Sequence, residues 1–437
     1  MGTAVSPCRH VAGKRVLWIA YVFPPAGGSQ GLRMQQYLKM ICLAHPDVTV
    51  DVLTIRQTEL NAQFDPRLLE DVPASVRIHR VGPGFLHRLR YRWGLDRRYL
   101  GSAGRRSRHL MLCLIQLSNL GWIPHAAAWL GRQAAGRYDA VYVFVDPFSS
   151  LALALLASVL NPGARLVLEY GDPRISVRGI TTLLGRTAAW LEERTLRRCS
   201  AAILRTQAAL DAYLAAYGSI PASRLAVIYG GVDSGLYDAA DASSGAGQFR
   251  ICYTGTMYSH SADPSPFFHA VARIVADRRL PVRVVIAGAE NPALTRMVKE
   301  LNLDAAVTLT GHLPMDRMAS VQRSATLLLA FGLDNPYQIS SKLAQYITAR
   351  VPVLYVTAYG DDPGAELIRS SGRGLLVENT VAAIECGILH CLRLWQDGNL
   401  PSCFNLSRTD EFSWHQVAGA VAAMITGRPE APASGAS

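Results

Sequence analysis

The segment Asn335–Tyr355 (NPYQISSKLAQYITARVPVLY) carries the residues best suited to bind an anion. Ser340, Ser341 and Lys342 stand where a polar loop passes into a helix-length apolar segment. A helix N-terminus offers unpaired N–H groups and partial positive charge, so it attracts anions and disfavours a cation. A lysine there indicates a negatively charged partner, to which the hydroxyls and the ammonium group would donate hydrogen bonds.

A second anion-binding pattern lies near the start of the chain, in Tyr21–Arg33 (YVFPPAGGSQGLR). Gly27 and Gly28 permit positive φ and close backbone approach, and a helix is predicted to follow them. Arg33, inside that helix, is a candidate for contact with a phosphate or with a second substrate. A Pro-Gly turn that leads into a helix is also common in purely structural settings, so both interpretations stay open.

Three further side chains of the first half could handle a substrate hydroxyl. Asp172 precedes a proline in LEYGDP, where it could orient a hydroxyl or take its proton, although such an aspartate is also a common turn residue. His125 follows Pro124, and a lone histidine is more often structural. Asp146 comes directly after a predicted strand, at the end where substrates bind in parallel sheets.

The elements that must position these residues alternate between short β-type runs and amphipathic helix-length runs, which is typical of parallel sheets. The pattern restarts after the small, polar stretch 236–248. The sequence therefore predicts an α/β fold of two Rossmann-like domains that face each other across a cleft. The predicted strands are 16–21, 48–53, 76–81, 140–145, 165–169, 201–204, 225–228, 249–253, 282–287, 307–310, 325–329, 353–355 and 374–377.

These motifs, in this order, resemble the family 4 glycosyltransferases. SSKLAQYITARVPVLY is similar to the family segment PSKLFEYLAAGKPVL, whose helix start holds the donor pyrophosphate. FRICYTGTMY, VTLTGHLP, VDPFSS, GWIPHA and RLAVIYGGVD resemble further family segments. The resemblance implies a GT-B fold and transfer of a sugar from a nucleotide-diphospho-sugar to a saccharide or lipid-linked acceptor, with retained configuration.

The resemblance also implies roles for particular residues. Donor-binding positions would be Gly27, Gly28, Gly255, Thr256, His312, Leu313, Ser340, Ser341, Lys342, Gln345 and Glu366, with the backbone of the His312 turn against the base. Acceptor-binding positions would be Arg33 and Asp146, and catalytic positions Asp172 and His125. No cofactor and no metal are expected.

Domain limits follow from the same comparison. Residues 1–235 are expected to form the acceptor-binding domain, with 1–12 flexible, and residues 249–410 the donor-binding domain. A closing helix is predicted over 411–426 and a disordered tail over 427–437.

Two departures from the family pattern concern chemistry. The family has a glutamate that grips the donor ribose where this chain has Gln345, and its preceding glutamate falls near Tyr337. Basic residues that often follow the GT turn are missing, and His260 is the one titratable basic group there. A GT-B protein that binds without turnover and a sugar-nucleotide epimerase therefore remain alternatives. A dinucleotide-dependent oxidoreductase is disfavoured because the first strand lacks G-x-G-x-x-G.

The charge of +11 is unevenly distributed, since residues 1–235 hold 28 Lys and Arg against 15 Asp and Glu, and the remainder 16 against 18. A basic first half favours an anionic membrane surface or a lipid-phosphate acceptor over nucleic acid, for which no binding signature is found. The segment 83–109 interleaves arginines with Leu, Tyr and Trp, which suits either a bilayer surface or a solvated insertion.

The eight cysteines show no metal-binding or disulfide spacing, as in a reducing cytosol. Asp361 and Asp362 lack supporting ligands and are interpreted as a solvated loop. The start of the chain has no signal pattern, and residues 110–130 are too polar for a membrane span. We therefore expect a cytoplasmic protein, peripheral at most on the inner face of the membrane.

Overall fold

The computed structural model describes residues 13–56, 64–92, 118–173, 183–238, 247–255, 257, 263–276, 280–289, 291–360 and 362–428. These residues form two compact units. The first comprises the described residues up to Leu204, residues 212–226 and the described residues from Ala418 onward. The second comprises residues 205–211 and the described residues from Val227 to Val417.

The first sheet has seven strands in the order β3-β2-β1-β4-β5-β6-β7. Neighbouring strands from β3 to β6 in this order run parallel. The strands are β1 (Arg15–Ile19), β2 (Thr49–Ile55), β3 (Val76–Val81), β4 (Ala140–Phe144), β5 (Arg165–Glu169), β6 (Ala201–Leu204) and β7 (Leu225–Val227).

The second sheet has six strands in the order β10-β9-β8-β11-β12-β13, and every adjacent pair is parallel. Both sheets thus share one strand order, that of a doubly wound nucleotide-binding fold, in which the order reverses beside the first strand. The strands are β8 (Phe249–Thr254), β9 (Val282–Ala287), β10 (Val307–Gly311), β11 (Leu327–Phe331), β12 (Val353–Thr357) and β13 (Gly374–Glu378). All thirteen strands lie at predicted positions, with ends shifted by at most two residues.

Helices connect the strands. In chain order they are α1 (Gly28–Ala44), α2 (Phe85–Arg92), α3 (Ile123–Gln133), α4 (Ser150–Leu160), α5 (Leu183–Arg198), α6 (Gln207–Ala216), α7 (Ser265–Ala276), α8 (Pro292–Glu300), α9 (Met315–Arg323), α10 (Lys342–Thr348), α11 (Pro363–Ser371), α12 (Val381–Gln396) and α13 (Trp414–Thr426). Helix α1 buries Met34, Leu38 and Ile41, whose spacing of four and then three residues places them on one face.

Helices cover both faces of the second sheet. Successive residues of β8 point into different apolar clusters, Ile251 and Tyr253 into one and Cys252 into the other. The first cluster contains Phe267 of α7, and the second contains Leu343 of α10. Burial on both faces explains why the strands read as continuous apolar runs.

The end of α13 belongs to the first unit. Lys14 Nζ donates to the Thr426 carbonyl, and Arg165 Nε donates to the Met424 carbonyl at 3.0 Å. Arg428 pairs with Asp47 at 2.9 Å. The first unit is therefore assembled from segments that are far apart in sequence.

Several sequence predictions fall outside the described residues. They are the flexible 1–12, the tail from 429, most of the 236–248 stretch and the part of the basic segment after Arg92. Among the residues that the structure does describe, no helix combines the length and hydrophobicity needed to cross a bilayer.

Candidate functional site

The order of strands reverses between β8 and β11 of the second sheet. The chain leaves β8 at Gly255, and the loop after β11 leads into α10, which begins at Lys342. In doubly wound sheets, ligands bind at this reversal, outside the carboxyl ends of the strands. The fold therefore brings Gly255 and Lys342 to the position where a nucleotide is expected.

Lys342 lies against an aromatic ring and a glycine. Its Nζ donates to Tyr253 Oη at 2.5 Å and stands 4.1 Å from the centre of the Tyr253 ring. A Cβ built on Gly255 would lie 3.4 Å from the same Nζ. The ammonium group is thus held at the carboxyl end of β8 by packing on two sides.

The ammonium group of Lys342 is poorly solvated. Burial lowers its pKa from 10.5 to about 7, because the charged form loses water without gaining an opposite charge. Within the part of the chain that is described, no carboxylate lies within 4 Å of Nζ. An incoming anion would supply that missing charge.

Two glycines bring β8 and β9 close together beside the lysine. Gly255 has φ +102°, a conformation that favours glycine, and a Cβ on Gly288 would lie 2.1 Å from the Gly255 carbonyl oxygen. Gly288 also lines a cavity of about 680 Å³ at the ends of β9 and β10. This cavity is large enough for a nucleoside.

The polar and charged residues lining this cavity come mainly from α8 and the end of β10. They include Asn291, Thr295, Arg296, Lys299 and Thr310. His312 and Leu313, predicted to meet the base, directly follow Gly311 of the cavity wall. Neither of the two residues lines the cavity itself, and their contact with the base stays a prediction.

The other predicted donor residues have mixed surroundings. Helix α10 begins at Lys342, so Ser340 and Ser341 precede it, and Ser341 makes no side-chain capping bond. Glu366 is exposed and pairs with Arg369 on the surface of α11. Thr256 lies outside the described residues.

Gln345 joins a hydrogen-bond network that sequence patterns did not predict. Its Oε1 accepts from Nε2 of the buried Gln322 of α9 at 3.1 Å. Gln322 also donates to Thr254 Oγ1 at 2.7 Å and accepts from Tyr237 Oη at 2.5 Å. The residue that departs from the family pattern is thus fixed by a buried amide.

In the first unit, the glycine turn lies at the carboxyl end of β1. Gly28 is the first residue of α1 and has φ +81°, whereas Gly27 has an ordinary negative φ of −80°. Two residues later, Gln30 donates through Nε2 to Asp146, which follows β4. Because β1 and β4 are neighbours, the reversal point of this sheet brings Asp146 beside the glycine turn.

The remaining predicted residues of the first unit make other contacts. Arg33 is buried and forms an ion pair with the buried Glu169 at 3.7 Å. Asp172 is exposed beyond the end of β5, and the exposed His125 packs its ring on Gly82, whose Cβ would lie 3.3 Å away. Their acceptor-side and catalytic roles stay predictions.

Metal binding has no structural support in the ranges described. No three or more His, Cys, Asp or Glu side chains come together there in a way that would hold an ion. The expectation that no metal is needed stays a prediction.

The second unit matches a known sequence family. Residues 248–393 match the model of the family described as Glycosyl transferases group 1. No curated protein matches the chain in sequence.

Solved structures resemble the whole chain. Anabaena Alr3699/HepE, in complex with UDP and glucose, is 15% identical with a TM-score of 0.64, over 95% of this chain and 100% of that one. Sucrose-phosphate synthase from Thermosynechococcus elongatus is 15% identical with a TM-score of 0.59, over 95% and 98%. A putative UDP-N-acetylglucosamine 2-epimerase from Listeria monocytogenes is 14% identical with a TM-score of 0.59, over 96% and 99%. The predicted fold is therefore confirmed: the chain has the two-domain GT-B fold of glycosyltransferase structures, with a Glycosyl transferases group 1 match in its second unit.

Proposed function

We propose that this protein transfers a hexosyl group from a nucleotide-diphospho-sugar to a saccharide or lipid-linked acceptor, with retained configuration, in polysaccharide biosynthesis. The observation that supports this most directly is Lys342, a poorly solvated ammonium group with no carboxylate within 4 Å among the described residues. It stands at the strand reversal, beside a cavity of nucleoside size. The family match over the same unit and the UDP-bound Anabaena structure favour a nucleotide sugar.

The chemistry follows from the charge that develops during transfer. As the bond between the sugar C1 and the phosphate oxygen breaks, negative charge grows on the leaving diphosphate, and the acceptor oxygen forms the new bond to C1. Lys342 and backbone N–H groups before α10 would stabilise that charge. Asp172 or His125 would take the proton of the acceptor hydroxyl. Because Lys342 would supply the positive charge, we propose that no resident metal is required.

The test is a thermal-shift panel of UDP-, GDP-, ADP- and dTDP-sugars on the full-length protein. A ligand at 100 times its Kd raises stability by about 2.7 kcal/mol, which is readily detected. A hit is then incubated with saccharide acceptors, and nucleoside diphosphate release is measured. If none of these compounds shifts the transition, the proposed function is wrong.

A second candidate is a GT-B protein that binds nucleotide sugars without transferring them. It is favoured by Tyr337 and Gln345, which stand where the family pattern has two glutamates. An epimerase would change the sugar of the donor without any acceptor, as the name of the Listeria protein suggests for that protein. Acceptor-dependent release of nucleoside diphosphate separates transfer from both alternatives.

Gln345→Glu is expected to tighten nucleotide binding by about fivefold to thirtyfold. A carboxylate accepts from a ribose hydroxyl with charge assistance, and hydrogen bonds to charged groups exceed neutral ones by about 1–2 kcal/mol. Titration calorimetry with UDP on this variant and on Gln345→Ala checks it. If neither substitution changes affinity or turnover, Gln345 does not contact the donor.

Donor affinity is expected to fall above neutral pH. In the unliganded protein Lys342 has a pKa of about 7, so it is protonated below pH 7 and mostly neutral above it. A bound diphosphate favours the charged form. Binding above pH 7 must therefore take up a proton. UDP-glucose suits the test because its phosphates do not titrate there. We expect affinity to drop by about tenfold between pH 7 and pH 9. Calorimetry in buffers of different ionisation enthalpy should show proton uptake, which Lys342→Met abolishes.

We propose further that the protein works in the cytoplasm and contacts the anionic face of the membrane. The supporting surface consists of Phe85, Leu86 and Leu120, exposed by 72%, 51% and 42%, together with the exposed Arg88 and Arg92. Gly84 and Gly121 pack backbone to backbone, which places Leu120 near the start of α2. Apolar side chains flanked by cations suit an anionic bilayer surface.

The double change Phe85→Ser, Leu86→Ser is expected to reduce binding to vesicles of anionic phospholipid by about tenfold or more, since burying each side chain contributes about 1.5–3 kcal/mol. Binding of the wild-type protein should also weaken as salt rises. Sedimentation with anionic and neutral vesicles checks both expectations, with Val159→Ser as a control for an exposed apolar residue elsewhere. Equal binding to both vesicle types would contradict the proposal.

A further inference from the structure

The carboxamide of Gln322 is wholly enclosed, and its oxygen and both of its N–H groups have hydrogen-bond partners. The side chain is 0% exposed. Its oxygen accepts from Tyr237 Oη, and its two N–H groups donate to Thr254 Oγ1 and Gln345 Oε1. A buried amide held by three hydrogen bonds has a fixed position.

The distances determine which way this amide faces. The Tyr237 contact is 2.5 Å, which suits an O–H···O bond and is shorter than the usual N–H···O range. Turning the amide over would place its nitrogen there and leave one buried N–H without an acceptor, which is costly. The nitrogen of Gln322 therefore faces Thr254 and Gln345.

The orientation of Gln322 in turn determines that of Gln345. Because Gln322 presents an N–H group, Gln345 must turn its carbonyl oxygen towards Gln322. The NH₂ group of Gln345 then faces away from Gln322. Among the described residues that NH₂ group has no hydrogen-bond partner. Gln345 lies one turn after Lys342 on α10, so this side of the helix offers two groups that only donate.

From this arrangement we infer that Gln322 is a positioning residue for donor recognition: it holds the Gln345 amide so that position 345 donates to a ligand hydroxyl oxygen. The inference rests on the proposed nucleotide-sugar site. It adds a residue on a different helix, in contact with no ligand itself, and it specifies which half of the Gln345 amide recognises the ligand.

A double-mutant cycle tests the inference, with UDP as the probe and GDP and ADP measured alongside. Gln322→Met keeps the length of the side chain and removes its amide. We expect it to weaken nucleotide binding by about threefold to tenfold, the effect of one neutral hydrogen bond. In a Gln345→Met background the same change should have no effect, since there is no amide left to position.

Tyr237→Phe is a less disruptive variant that tests the same inference if Gln322→Met does not fold. It removes only the hydroxyl that donates to Gln322, so a smaller loss is expected, again confined to proteins that retain Gln345. Equal losses with and without Gln345 would show that Gln322 acts through packing, and no loss in the wild-type background would remove its role; either result overturns the inference. If the wild-type protein binds none of the three nucleotides, the proposed function fails with it.

Discussion

Replacing Lys342 with methionine is expected to weaken UDP binding by about 10- to 150-fold, the range for losing a hydrogen bond to a charged group at about 1.5–3 kcal/mol. The lysine lies over Tyr253 and beside Gly255, and no carboxylate among the described residues comes within 4 Å of it. Calorimetry with UDP on the wild type and the variant measures the loss. Unchanged affinity would remove Lys342 from the site.

The same substitution should stabilise the unliganded protein, which separates a binding defect from misfolding. The pKa of this lysine falls from 10.5 to about 7 on folding, so its burial lowers the free energy of unfolding. The loss of stability is complete at and below pH 7 and becomes smaller as the pH rises towards 10.5. Lys342→Met removes this penalty, so its Tm should exceed that of the wild type at pH 7 and the gap should narrow at higher pH. Lys39→Met, at a lysine that pairs with Asp71, is the control and should show no such trend. A lower Tm for Lys342→Met at pH 7 would contradict the desolvation of this lysine.

Gly288→Ala is expected to lower Tm by roughly 2–12 °C and to abolish nucleotide binding. The added Cβ would lie 2.1 Å from the Gly255 carbonyl oxygen, and backbone cannot swing aside as a flexible side chain does. Overpacking costs about 1–3 kcal/mol or more, and each kcal/mol lowers the Tm of a unit of this size by about 2–4 °C. A backbone shift that removed this clash would also move Gly255 away from Lys342.

Gly360→Ala is the matched control in the same unit. A Cβ there would meet nothing within 4 Å, and its φ is not in the left-handed region, so stability should change by less than about 0.5 kcal/mol. Scanning calorimetry on both variants gives the comparison. A Gly288→Ala protein with wild-type Tm would show that the two strand ends are not in close backbone contact.

Sequence patterns located the strands because a strand buried on both faces must be apolar throughout, whatever it packs against. The run Leu327–Phe331 is recognisable for this reason, and the helix-start position of Lys342 is equally local. Knowing the order of elements was then enough to place Lys342 near Gly255. This part of the site depends on short-range rules and on topology alone.

The network around Gln345 could not be found in this way. Gln322 precedes it by 23 residues and follows Thr254 by 68, and nothing in the local sequence marks these three side chains as partners. Arg33 shows that a local pattern can also leave a partner out. Its position suggested a substrate contact, but its side chain also pairs with Glu169, which lies 136 residues later in the sequence, on β5. Side-chain pairing between distant segments depends on packing that spacing does not encode.

The return of α13 to the first unit determines when that unit can finish folding during synthesis. Lys14, Asp47 and Arg165 reach their partners only at residues 424–428. At 5–20 residues per second, the ribosome needs about 10–40 s to proceed from residue 226 to residue 418, so the first sheet must wait that long for its last helix. During this interval the ribosome makes nearly all of the second unit, residues 227–417, which can therefore complete its own core before residues 418–428 are available. The nascent chain is therefore expected to acquire its nucleotide site before its N-terminal unit is sealed.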